Sequence, residues 1–270
     1  MARLSERQRR FPDARADLKR WEDGPQTPQT LSPSYRLAFD DPAFMMRDEL
    51  RPVRLQLELL KPELTLAERG IASTVVMLGS ARIPVPEAAD GVAPAGLSAY
   101  YAQAQEFARL CTERAMERDN REGVICTGGG PGIMEAGNRG ADEAGGISIS
   151  LNIVLPHEQS PNLYGTPELS FNFHYFAIRK MHFLMRARAI AVFPGGFGTL
   201  DELFEVLTLV QTGRMEPLPI LLFGKEFWER VINWDALVEA GTIAPGDPDL
   251  MRYVAGPAEA VAAIWGNSSG

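Results

Sequence analysis

The sequence predicts an α/β fold, a parallel sheet with helices on both faces, preceded by a helical extension. Two observations carry that reading. After Gly70 short continuous apolar runs alternate with segments of helical period. Three of those runs, ending at Leu78, Thr127 and Phe193, open into turns of small residues. A strand buried on both faces has to be apolar throughout, and its loop supplies the change of direction.

Residues 1–34 are polar and broken by Pro25, Pro28 and Pro33, and read as a flexible arm. Residues 35–70 read as a helical extension. Asp41 can cap it, Pro42 suits the first helical position, and Pro52 must kink or divide it. The main domain, Rossmann-like, is expected over 71–265. It begins with a strand at Thr74–Leu78, a helix over 97–118 with Tyr100, Ala104, Phe107, Cys111 and Ala115 inward, and a strand over 123–127. A helix from Ile133 and a strand over 147–155 follow, then a polar loop over 157–168. The remainder reads as helix 176–188, strand 189–193, helix 199–212, strand 218–223 and helix 225–239.

In a parallel sheet the three turns share the carboxyl edge, where open α/β sheets bind ligands. Glycine there admits a ligand against the backbone, and free N–H groups at a helix start favour a phosphate. The familiar nucleotide fingerprints are absent: Gly224-Lys225 is followed by Glu226 rather than Ser or Thr. Ile133 stands where a dinucleotide motif needs its third glycine, with Asn152 in place of the acidic ribose ligand. A P-loop NTPase and a dehydrogenase are therefore disfavoured. Asp201 and Glu202 are placed in the first turn of the last glycine-loop helix, Asp201 as a partner of the helix dipole. Arg179 lies on an otherwise apolar helix of a chain with four lysines among its 27 basic residues, so it is expected to face a phosphate or carboxylate.

Pro194-Gly195-Gly196-Phe197-Gly198-Thr199-Leu200-Asp201-Glu202 is a PGGxGTxxE pattern. With Arg179-Lys180, it resembles the LONELY GUY (LOG) family of phosphoribohydrolases, often labelled lysine decarboxylases. Gly79-Ser80-Ala81-Arg82 and Gly128-Gly129-Gly130-Pro131-Gly132-Ile133-Met134 look like the family's other nucleotide-facing loops. The resemblance implies hydrolysis of the N-glycosidic bond of a nucleoside 5'-monophosphate, of AMP or cytokinin-ribotide type. It makes Arg179 and Glu202 the catalytic pair. Ser80, Gly130, Gly132, Lys180, Gly195, Gly196, Gly198 and Thr199 become the substrate-binding set. It further implies a homodimer or a larger even-numbered oligomer. Phe183 stands where the family's arginine motif often has methionine, and residues 1–70 have no counterpart in the shortest members.

A net charge of −8 disfavours a nucleic-acid surface. No apolar run reaches the length of a membrane span, and the amino terminus is arginine-rich without an apolar stretch, so a cytoplasmic protein is expected. Cys111 and Cys126 read as core thiols. His157, His174 and His182 are scattered, so neither metal nor cofactor is expected. A pyridoxal enzyme needs a Schiff-base lysine, and Lys180 is a poor candidate. Two alternatives stay open: a binding or carrier protein, like the molybdenum-cofactor carriers, and a nucleotide sensor acting through residues 1–70.

Overall fold

The computed structural model describes residues 13–86, 97–156 and 160–266. The chain divides into two compact units between Leu57 and Glu58. In the first, helix α1 (Ala14–Glu22) is capped by Asp13, which accepts a hydrogen bond from the Arg15 amide. A helix therefore stands inside the stretch read as an arm. Asp41 caps α2 (Pro42–Met45) as expected, accepting from the amides of Ala43 and Phe44. Helix α3 (Arg51–Glu68) carries Pro52 as its second residue, so the predicted division falls just before it. From Glu58 onward α3 belongs to the second unit.

The second unit is an α/β sheet. Its described strands are β1 (Thr74–Leu78), β2 (Val124–Thr127), β3 (Ser148–Ile153), β4 (Ser170–Phe173), β5 (Ala187–Val192), β6 (Ile220–Phe223) and β7 (Arg252–Val254). Every pairing is parallel, in the order β4-β3-β2-β1-β5-β6-β7. The connecting helices are α4 (Ser98–Met116), α5 (Ile133–Glu143), α6 (Phe176–Met185), α7 (Phe197–Gln211), α8 (Lys225–Val231), α9 (Trp234–Glu239) and α10 (Pro257–Trp265).

Strand β1 is buried at all five positions because both its faces are covered. Val76 and Leu78 join a core with Phe183, Val206 and Trp228 on one face. Val75 and Met77 join Tyr101, Phe107, Ile133 and Phe223 on the other. Cys111 and Cys126 are buried free thiols, as expected.

Four expectations need correction. Tyr101 is the fully buried tyrosine of α4, while Tyr100, a turn of 100° away, packs only half-buried against the same core. The single helix expected over 225–239 is two, because Ile232 is extended and Asn233 caps a new start by accepting from the Ala236 amide. Strand β4 follows directly on what read as loop, and β7 with α10 extends the alternation beyond the predicted elements. Helix α7 begins at Phe197, which places Asp201 and Glu202 beyond its first turn.

Candidate functional site

The sheet order reverses between β1 and β5, so the chain leaves these neighbours in opposite directions and a crevice opens at their carboxyl ends. Three loops meet there through backbone hydrogen bonds. The Ser80 amide donates to the Pro194 carbonyl (3.1 Å), and the Ile133 amide donates to the Ser80 carbonyl (3.1 Å). The Ser80 hydroxyl accepts from the Arg82 amide at 3.0 Å and fixes the first turn. The result is a cleft of about 780 Å³, lined by Gly79–Arg82, Gly128, Arg179, the run 195–200 and Glu202. Met134, Ile153, Phe176 and Phe227 add apolar wall.

No side chain caps the start of α7, so its first amides lack the usual oxygen partner. Gly196, Phe197 and Gly198 above them are exposed while Thr199 is buried. A Cβ on Gly195 would lie 2.1 Å from Thr199 Oγ1, so glycine at this position lets the loop fold down on the threonine. At Gly196 and Gly198 a Cβ would meet nothing within 4 Å. The protein's own packing therefore does not account for those two glycines. A ligand seated on the loop would.

Arg179 and Glu202 form the floor. The buried Arg179 donates through Nε to the Leu151 carbonyl at 2.6 Å, and its guanidinium lies over the Phe183 ring, 5.1 Å from the centroid. Its Nη1 stands 3.6 Å from Glu202 Oε1. Phe183, at the position that departs from the arginine motif, thus underlies the guanidinium. Gly128 is required opposite, since a Cβ there would come within 2.5 Å of Arg179 Nη2. Burial pushes the Glu202 carboxyl up to about 7. The negative charges of Asp201 and Glu205 act in the same direction, against the pull of Arg179 and Lys180. A carboxyl that titrates near neutrality can hold or release a proton at working pH.

The family model described as "Possible lysine decarboxylase" matches residues 134–264. A probable cytokinin riboside 5'-monophosphate phosphoribohydrolase of rice, LOGL5, is 27% identical over 171 residues, 62% of this chain and 65% of the relative. The Arabidopsis thaliana cytokinin riboside 5'-monophosphate phosphoribohydrolase LOG3 is 29% identical over 125 residues, 45% of this chain and 57% of the relative. The chain is thus similar to the LOG family over most of its α/β unit. It spans less than two thirds of the length of these LOG relatives. The solved molybdenum-cofactor carrier protein of Chlamydomonas reinhardtii is 18% identical, with a TM-score of 0.46, over 71% of this chain and 94% of that one.

The expected LOG residues divide on the structure. Ser80, Arg179, Gly195, Gly196, Gly198, Thr199 and Glu202 all line the cleft. Lys180, Gly130 and Gly132 do not. Lys180 reaches Glu205 (2.9 Å) and Asp201 (3.1 Å), tying α6 to α7. That pairing, rather than the helix dipole, occupies Asp201. The Gly130 carbonyl accepts from Asn162 Nδ2 at 3.0 Å, and Gly132 turns the chain into α5. His157 lies outside the described residues. His182 is buried beside Phe173, with ring centroids 5.5 Å apart.

Sequence reasoning missed Asn162 and Arg82. Asn162 also donates to the carbonyl of Gly129 and to Asn138 Oδ1, and so holds the second glycine loop. Only its place in the otherwise unexplained loop after β3 hinted at it. Arg82 was legible, standing in the first glycine turn, but a lone exposed arginine carries no pattern of its own.

Proposed function

We propose that this chain hydrolyses the N-glycosidic bond of nucleoside 5'-monophosphates, of AMP or cytokinin-ribotide type, giving the free base and ribose 5-phosphate. The observation that carries this reading is the Glu202–Arg179 pair at the floor of a glycine-lined cleft, with a carboxyl that titrates near neutrality. The C1'–N bond breaks with its electrons on the base, and positive charge develops on the ribose. Glu202 as carboxylate faces that charge and takes a proton from the water whose oxygen bonds to C1'. The same proton then passes to the departing base, which leaves Glu202 ready for the next turnover. Arg179, held by the Leu151 carbonyl, stays beside the carboxylate and supplies a positive charge at the cleft floor.

The uncapped amides of α7 suit the 5'-phosphate. Arg82 supplies a full positive charge to the same group, since among the described residues its side chain makes no ion pair. Arg82→Ala should raise KM for a nucleoside monophosphate about tenfold and leave kcat within a few-fold, on the usual worth of a charged hydrogen bond. Steady-state kinetics checks this, and an unchanged KM rules Arg82 out of phosphate binding.

The reading as a whole is tested by incubating the protein with AMP, GMP, CMP, UMP and a cytokinin ribotide and following free base. Release of at least one base is expected. No release, under conditions where a LOG relative is active, overturns it. A cytoplasmic homodimer or larger even-numbered oligomer belongs to the same proposal, and light scattering on the purified chain measures the assembly.

A further inference from the structure

Arg179 sits on α6, and α6 has no side-chain cap of its own. The two amides just before it, those of His174 and of its N-cap residue Tyr175, are met from α3, more than a hundred residues earlier in the chain. Glu58 Oε1 accepts from the His174 amide at 2.8 Å, and Glu58 Oε2 accepts from the Tyr175 amide at 3.1 Å. A carboxylate spanning two successive amides places a full negative charge against the positive end of the helix. The Arg179 amide donates to the Tyr175 carbonyl at 3.1 Å, so the first turn of α6 links the capped backbone directly to Arg179.

Two more ties run along the same pair of helices. His182 Nε2 lies 3.3 Å from the Glu58 carbonyl, an acceptor that the ring N–H can meet. At the far end Arg186 grips Glu63 with both terminal nitrogens, Nη2 to Oε1 at 2.7 Å, and its Nε donates to the Ile71 carbonyl at 3.2 Å. The helix bearing Arg179 is thus held at its start, middle and end by the segment from 58 to 71. The floor it serves has little slack, because Arg179 is held by the Leu151 carbonyl over the Phe183 ring and stands 3.6 Å from Glu202.

We infer that Glu58 is a positioning residue for Arg179: its carboxylate caps α6 from a distant part of the chain and sets where the guanidinium stands beside Glu202. This role rests on the reading of Arg179 and Glu202 as the working pair. Displacing α6 by a fraction of an ångström would carry Arg179 away from Glu202, and a small misplacement of a working group is costly to rate. It would also remove part of the attraction that holds the Glu202 carboxyl down, so that carboxyl would titrate higher.

The test compares full-length Glu58→Ala with Asn233→Ala, which removes a cap from α9 by loss of the Ala236 contact. Glu58→Ala should lower kcat by about tenfold or more. It should leave KM within a few-fold, move the acid limb of the rate profile to higher pH, and speed hydrogen exchange at the amides of 174–179. Asn233→Ala should match it in lost thermal stability and show none of these. Should Glu58→Ala not fold, Glu58→Gln keeps one acceptor and should show the same changes at reduced size. Wild-type kinetics and pH profile in the Glu58 variant overturn the positioning role alone, as does an equal kcat loss in Asn233→Ala. A wild-type protein that releases no base from any nucleotide overturns the role together with the proposed function.

Discussion

Glu202→Gln should reduce kcat for nucleoside monophosphate hydrolysis by about a thousandfold while nucleotide affinity stays within a few-fold. Gln keeps the size of the side chain and its place 3.6 Å from Arg179, but it can neither take a proton from water nor face the ribose cation with a negative charge. The loss therefore falls on the chemical step. In the wild type the active form is the carboxylate, so the rate should climb from acid toward neutral pH with a midpoint near the carboxyl's value of about 7. The same substitution has a signature in stability. The folded protein holds a proton on Glu202 in a range where the unfolded chain, with an ordinary value of 4.5, has released it. Stability is thus lost as pH rises from 4.5 to 7, a gap of 2.5 units worth about 3 kcal/mol at most. Glu202→Gln lacks that slope. Its melting temperature, compared with wild type at pH 5 and pH 8, should become relatively higher at pH 8. Full turnover in the variant denies Glu202 its part in the chemistry, and a flat difference between the two pH values denies it its buried titration.

The features of the site legible in the sequence are those that local pattern encodes. β1 from Val75 and β5 from Ala189 are apolar because they lie at the centre of the sheet, and each runs into a glycine turn, so these stretches and the crevice between them are legible directly, whereas Ala187 and Arg188 at the start of β5 look like the end of the preceding helix. β4 was hidden because it is a four-residue edge strand with alternating burial, Ser-Phe-Asn-Phe, directly after a polar loop. The start of α7 was misplaced because Gly196 is no ordinary cap and an exposed Phe197 does not look like a first helical residue. Arg179 and Lys180 were read as a unit, yet neighbours on a helix point about 100° apart. One of them reaches the cleft and the other reaches α7. Glu58 was beyond sequence reasoning altogether, because nothing near it in the chain shows that its partners are the amides of residues 174 and 175.

The glycines of the site separate into those that hold the cleft together and those that leave it open, and substitution by alanine should sort them. Gly132 has φ 69° and ψ −128°, a conformation that side-chain-bearing residues hardly adopt. Its added Cβ would also lie 2.4 Å from the Ser80 carbonyl oxygen and 2.8 Å from the Ala81 carbonyl carbon. These are backbone atoms and cannot rotate aside. The Ser80 carbonyl is moreover the acceptor for the Ile133 amide, so relieving the clash breaks the joint between the first and second glycine loops. Gly132→Ala should cost about 3 kcal/mol, combining backbone strain with overpacking. For a unit of this size that lowers Tm by roughly 6 to 12 °C. It should also raise KM for a nucleoside monophosphate, because the Gly79–Arg82 wall moves with the joint. Gly196→Ala is the opposite case. Its φ of −99° suits any residue, and its Cβ would point into open space. Its Tm should stay within about 1 to 2 °C of wild type, as for a surface change, while KM rises where a ligand phosphate meets the new methyl group. Calorimetry and steady-state kinetics on the two variants read both effects. A Gly196→Ala protein with wild-type KM would remove this loop from nucleotide binding, and a Gly132→Ala protein with wild-type Tm would show that the joint between the loops carries no stability.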